Sequence, residues 1–141
     1  MSYATVDDLQ ARLGEPRLVQ LTDLADPGIG LVDRGVAQKA LDDATAEIDG
    51  YLAGRYALPL ATPPAVLRVH CVSLAHYRLL GSAADEVTLA DVKALRAWLA
   101  RIADGAVALF APTDTPAPSG AGEVVFSSGQ KVMGRETAGW D

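Results

Sequence analysis

The chain is poor in the residues that most often carry chemistry. Its single cysteine, Cys71, rules out an internal disulfide, and with two histidines, His70 and His76, it forms no spacing that resembles a zinc site. Aromatic side chains make up 6% of the 141 residues. No apolar run approaches the roughly 18 residues of a membrane-spanning helix. No basic-then-apolar leader is evident, so the sequence reads as a soluble protein made in a reducing cytoplasm. Positive charge is also scarce: 12 Lys and Arg against 18 Asp and Glu leave a net charge of −6. That balance excludes a protein that wraps nucleic acid through clustered basic residues.

What is present is aliphatic. Half of the residues are hydrophobic, enough for one domain that buries about 68–70% of its unfolded surface. The chain divides into a body, 1–111, and a tail, 112–141. The tail opens with Pro112, Pro116 and Pro118 and is interrupted by Gly120, Gly122, Gly129, Gly134 and Gly139. Such a segment cannot build a core of its own.

Helical periodicity runs through the body. Thr5 with Asp8 three residues on reads as a capping box for a short helix to about Leu13, stopped by Gly14. Pro16 opens a second short helix through Val19 and Leu21, and Thr22–Val32 reads as a loop turning at Asp26-Pro27-Gly28. Asp33 caps a long helix with Val36, Ala40, Ala44, Ile48, Tyr51 and Leu52 on one face. Pro63 and Pro64 start the next, to about Leu80, which is apolar nearly all round and reads as the hub. Thr88 is expected to cap the last helix, with Asp91 at its third position and Gly105 closing it. Val107, Leu109 and Phe110 follow as an apolar exit strand or staple. The fold class is all-α: a small bundle of three long and one or two short helices, with an extended C-terminal tail. Val69, Val72, Leu74, Tyr77, Leu95, Trp98, Leu99 and Ile102 are expected to bury against Val36, Ile48 and Leu52.

No catalytic constellation stands out. Ser73 lies three residues from both His70 and His76, but on a helix that reads as core, and Cys71 reads as a small buried hydrophobe. Asp23, Asp26 and Asp33 lack the spacing of a calcium loop. Asp42, Asp43, Glu47 and Asp49 have no histidine at matching pitch and read as an exposed acidic face. Gly28-Ile29-Gly30 is not a phosphate loop. No metal and no cofactor is expected. The distinctive stretch is EIDGYLAGRYALPLATPP, from Glu47 to Pro64, which sets the angle between two long helices. Within it Arg55 either caps the helix end or pairs with Asp49.

Those residues carry a resemblance. The runs YATVDDLQARLGE, ALDDATAEIDGYLAGRYALPL, PPAVLRVHCVSLAHYRL and LRAWLARIADGAVAL resemble the Mu-like branch of tailed-phage head–tail joining proteins, over about residues 3–110. The most specific part is a scaffold motif that includes Asp49, Tyr51, Arg55, Tyr56 and Pro59. The tail after Phe110 shows little of the likeness. The resemblance implies a non-enzymatic head–tail adaptor of the virion neck, added beneath the portal. Such proteins assemble as rings, commonly of twelve copies, that extend the DNA channel and present a surface to the next neck or tail-completion protein. An acidic wall suits DNA passage without binding. Asp42, Asp43 and Glu47 on one side, and Arg96 or Arg101 on another, are the expected subunit contacts. In the tail, Glu123–Ser127 and Gln130–Met133 read as two short strands about a turn. Val125, Phe126 and Trp140 are the expected anchors for docking on a neighbouring subunit or neck protein, and a hairpin folded on its own body is the alternative. Two other classes stay open: a helical inhibitor-like module using its acidic face, and a small enzyme around His70 and His76.

Overall fold

Five helices follow from the caps and periodicities of the body. In the computed structural model, residues 2–25 and 28–110 are described. The chain divides into two units, Met1–Leu109 and Phe110–Asp141. The β-hairpin and the anchors Val125, Phe126 and Trp140 lie outside the described residues.

Helix α1 spans Val6–Leu13 behind a capping box. The Thr5 hydroxyl accepts the Asp8 N–H at 3.1 Å, and the Asp8 carboxylate accepts the Thr5 N–H at 2.9 Å. Gly14, at φ 87°, ends α1 and leads directly into α2, Glu15–Thr22. A side chain there would be strained, so glycine permits this abrupt junction. Thr22 is helical and fully buried, rather than the first loop residue. Its hydroxyl donates to the Leu18 carbonyl at 2.8 Å and accepts the Asp33 N–H at 3.0 Å, tying the end of α2 to the start of α3.

Helix α3, Arg34–Leu52, is capped by Asp33, whose carboxylate accepts the N–H groups of Gly35 and Val36. Helix α4, Ala65–Leu80, packs most extensively on α3 and also meets α1, α2 and α5, which makes it the hub. A 3-10 turn at Gly81–Ala83 leads to α5, Glu86–Ala103. The cap of α5 is Asp85, not Thr88: Thr88 is the third helical residue, and its N–H donates to Asp85 at 2.9 Å. Both residues are good caps, and the helix begins at the earlier one because its first turn closes from there.

The core is formed by Leu9, Leu18, Leu41, Ala44, Ile48, Leu52, Leu67, Leu74, Leu99 and Ile102, with Cys71 among them. Three parts of the expected core differ. Val69 is 49% exposed because α4, although apolar nearly all round, has neighbours among the described residues on only part of its circumference. Trp98 and Tyr77 are half-buried at the α4–α5 edge, and Val36 is half-buried in the first turn of α3. Residues 107–110 form no strand. Leu109 is buried and donates its N–H to the Tyr56 hydroxyl at 3.1 Å.

Candidate functional site

The strongest electrostatic feature joins three helices at one carboxylate. Glu47 on α3 accepts Arg78 of α4 at 2.8 Å and Arg96 of α5 at 2.6 and 3.1 Å. Its side chain is 16% exposed. Burial raises its pKa, but the hydrogen bonds and charges of Arg96 and then Arg78 outweigh that and hold it below its ordinary value. Hydrogen bonding to Glu47, against the opposing effect of burial, holds Arg96 more firmly protonated. Arg96 also lies over the Tyr77 ring, 5.3 Å from its centroid. Glu47 and Arg96, expected on separate sides of the molecule, therefore meet within one chain.

A second polar line anchors the N-terminal residues along α3. The Tyr3 N–H donates to Thr45 Oγ1 at 3.1 Å, and the Tyr3 hydroxyl donates to Asp49. Burial, then the Asp49 hydrogen bond and charge, push the Tyr3 pKa well up. Asp49 therefore serves Tyr3 and not Arg55. Gln38 and Ser2 both donate to Asp42, and their hydrogen bonds lower its pKa. Asp43 pairs with Lys39 at 3.0 Å across one exposed turn.

The scaffold motif fastens the end of α5. Arg55 is exposed, and its guanidinium covers Gly105, whose φ of 84° disfavours any side chain there. Tyr56 holds Leu109, as above. Tyr51 is half-buried, and Pro59 is exposed after a cis Leu58–Pro59 bond. Arg101 is exposed on α5.

The groups nearest to a catalytic reading share helix α4. His70 packs on Trp98 with ring centroids 4.8 Å apart, and no hydrogen bond links Ser73 to either histidine. His76 Nε2 is buried without a hydrogen-bond partner among the described residues. Burial lowers the pKa of both rings, and Arg17 and Arg12 lower His76 further against the opposing charge of Asp85. Burial raises the Cys71 thiol, which contacts Thr45 Oγ1 at 3.4 Å and the Leu41 carbonyl at 3.7 Å. Asp23 accepts the Gly30 N–H at 2.7 Å and so ties the two ends of its loop together. Among the described residues, no group of three or more His, Cys, Asp or Glu could hold a metal ion. No described helix is long and apolar enough to cross a membrane.

Two surface features stand out among the described residues. The α2–α3 loop exposes Leu24, Ile29 and Leu31. Between α1 and α4 lies an open groove of about 290 Å3, lined by Asp8, Ala11, Arg12, Arg68, Val69 and Val72. Neither surface was legible in the sequence, since the groove combines residues more than fifty positions apart.

These features define a small helical body whose polar and charged clusters hold its helices and N-terminal residues in place. The chain belongs to the bacteriophage Mu Gp36 family, whose model matches residues 3–128. It is 38% identical over 143 residues to gene product J of Escherichia phage Mu, with 99% of each chain covered. It is 35% identical over 136 residues to the Mu-like prophage FluMu protein gp36 of Haemophilus influenzae (strain ATCC 51907 / DSM 11121 / KW20 / Rd), covering 96% of this chain and 95% of the relative. The family match runs beyond Phe110, the expected end of the likeness. The Pro-, Ala- and Ser-rich stretch after it has no periodicity by which to read it.

Proposed function

We propose that this protein is a structural head–tail adaptor of a Mu-like phage, bound below the portal in the virion neck. In this reading it forms a ring matched to the portal, extends the DNA channel and links the head to the next neck or tail-completion protein. The observation that carries the proposal is membership of the Mu Gp36 family over nearly the whole chain, together with the resemblance of residues 3–110 to head–tail joining proteins. The geometry is consistent with it: the exposed apolar side chains of the α2–α3 loop suit a protein contact. In this reading the acidic side of the subunit contact falls to Asp42 and Asp43, because Glu47 and Arg96 are engaged with each other. That engagement also narrows the acidic face on which an inhibitor-like role would depend. The tail, with Val125, Phe126 and Trp140, is assigned to docking on a neighbouring subunit or neck protein.

Electron microscopy of the neck of purified virions tests this reading. A ring of this chain below the portal is expected. Virions that are complete without the protein would overturn it. Truncation after Ala111 is expected to preserve helical content and abolish neck incorporation; normal incorporation would remove the tail's docking role.

A further inference from the structure

The groove between α1 and α4 carries positive charge that no ion pair among the described residues engages. Arg12 and Arg68 line it, and among the described residues neither takes part in an ion pair or a side-chain hydrogen bond. The carboxylate in the groove, Asp8, is turned to the Thr5 N–H. Val69 lies in the same groove, half exposed on α4. A chain of net charge −6 offers a complementary surface on a second copy of itself. On the outer side of α3, Asp42 is set by the hydrogen bonds of Gln38 and Ser2, and Asp43 makes an exposed pair with Lys39, which contributes little. Exposed Ala46 lies between them on the helix surface.

The two surfaces point away from each other. Helix α3 turns Leu41, Ala44 and Ile48 inward and α4 turns Leu67, Cys71 and Leu74 inward, with Cys71 touching Leu41 and Thr45. At about 100° per residue, Ala46 and Val69 each lie about half a turn from those inward rows. Contacts between opposite faces of successive copies are head-to-tail, and they close into a ring when the rotation per step allows it.

We propose that the α1/α4 groove of one copy receives the outer face of α3 of the next, with Arg12 and Arg68 on Asp42 and Asp43, and Val69 against Ala46. This contact rests on the ring reading above and supplies its geometry. Ala46 is small enough to let the valine approach closely. The fixed Asp42 carboxylate loses little freedom on binding.

The test uses the full-length chain carrying Val69→Cys and Ala46→Cys together, under mild oxidation, as purified protein at high concentration and in virions. Cys71 is buried and does not compete. Every copy then bears both halves of the contact, so a ladder of disulfide-linked species is expected from the double variant and from neither single one. Dimers from Val69→Cys alone would show groove-to-groove pairing and overturn the proposal. A ring in the neck without cross-links would overturn this contact and leave the adaptor reading standing. A ladder from a protein absent from virions would do the reverse. Should the double variant fail to assemble, charge reversal keeps the proposal open to refutation. Arg12→Glu with Arg68→Glu is expected to weaken self-association by about tenfold or more, and adding Asp42→Lys with Asp43→Lys to restore it; lack of rescue would overturn it.

Discussion

Two pairs of arginines on this small protein meet different fates. Arg78 and Arg96 converge from α4 and α5 on the half-buried Glu47 carboxylate. Arg12 and Arg68 flank an open groove, where the lining carboxylate is committed to a helix cap. The difference lies in where the counter-charge sits. Glu47 is on the inward flank of α3, within reach of both neighbours, so its pairs fix helix positions. Among the described residues the groove has no second carboxylate, and its arginines pair with none of them.

The largest expected effects come from the inward side of α4, beside which the groove should respond weakly. Leu74→Ala removes a fully buried side chain and is expected to cost about 2–5 kcal/mol. Urea denaturation followed by circular dichroism measures it; an unchanged midpoint would break the contrast between the inner and outer faces of α4. Next is Glu47→Gln, which leaves Arg78 and Arg96 without their counter-charge. With discount for solvent screening at this partly exposed pair, the loss should be about 1–2 kcal/mol. The double variant Arg12→Ala with Arg68→Ala should leave stability within about 0.5 kcal/mol of the parent. Equal losses from both changes would erase the distinction drawn here.

Tyr3→Phe deletes the hydrogen bond to Asp49 and is expected to cost about 1 kcal/mol, measured in the same way. Acid should act in two steps. Both histidines have folded-state pKa values below their ordinary 6.5, so the unfolded chain binds protons first and stability declines as pH falls below that value. Glu47 is held below its ordinary 4.5 in the fold, so its contribution, present above that pH, is lost as pH falls through and below it. Urea midpoints from about pH 8 to about pH 3 should show both declines. His76→Gln should flatten the upper decline and Glu47→Gln the lower one. The smallest change is Val69→Ala, expected within about 0.5 kcal/mol of the parent because the side chain is half exposed.

Much of the local architecture was legible because helix ends announce themselves through short-range chemistry. The Thr5–Asp8 box, the Gly14 stop, the Asp33 cap and the Pro63-Pro64 start all depend on residues within a turn of one another. Thr88 misled because two acceptable caps, Asp85 and Thr88, lie three residues apart. Burial on α4 misled at Val69 for another reason: hydropathy says that a side chain prefers to be covered, while only the neighbouring helices decide whether it is. The partners of the scaffold motif were harder still. Asp49 finds Tyr3, and Tyr56 finds Leu109, each more than forty residues away.

The sequence by itself determined an all-α protein with its caps, its central aliphatic helix and its kinship to Mu-like phages. Caps and periodicity act over one or two turns, and kinship is carried by residue order. Tertiary structure alone decided which charges are spent and which are free. Glu47 joined Arg78 and Arg96, while Arg12 and Arg68 came together beside Val69, because helix packing sets distances between residues that the chain keeps far apart.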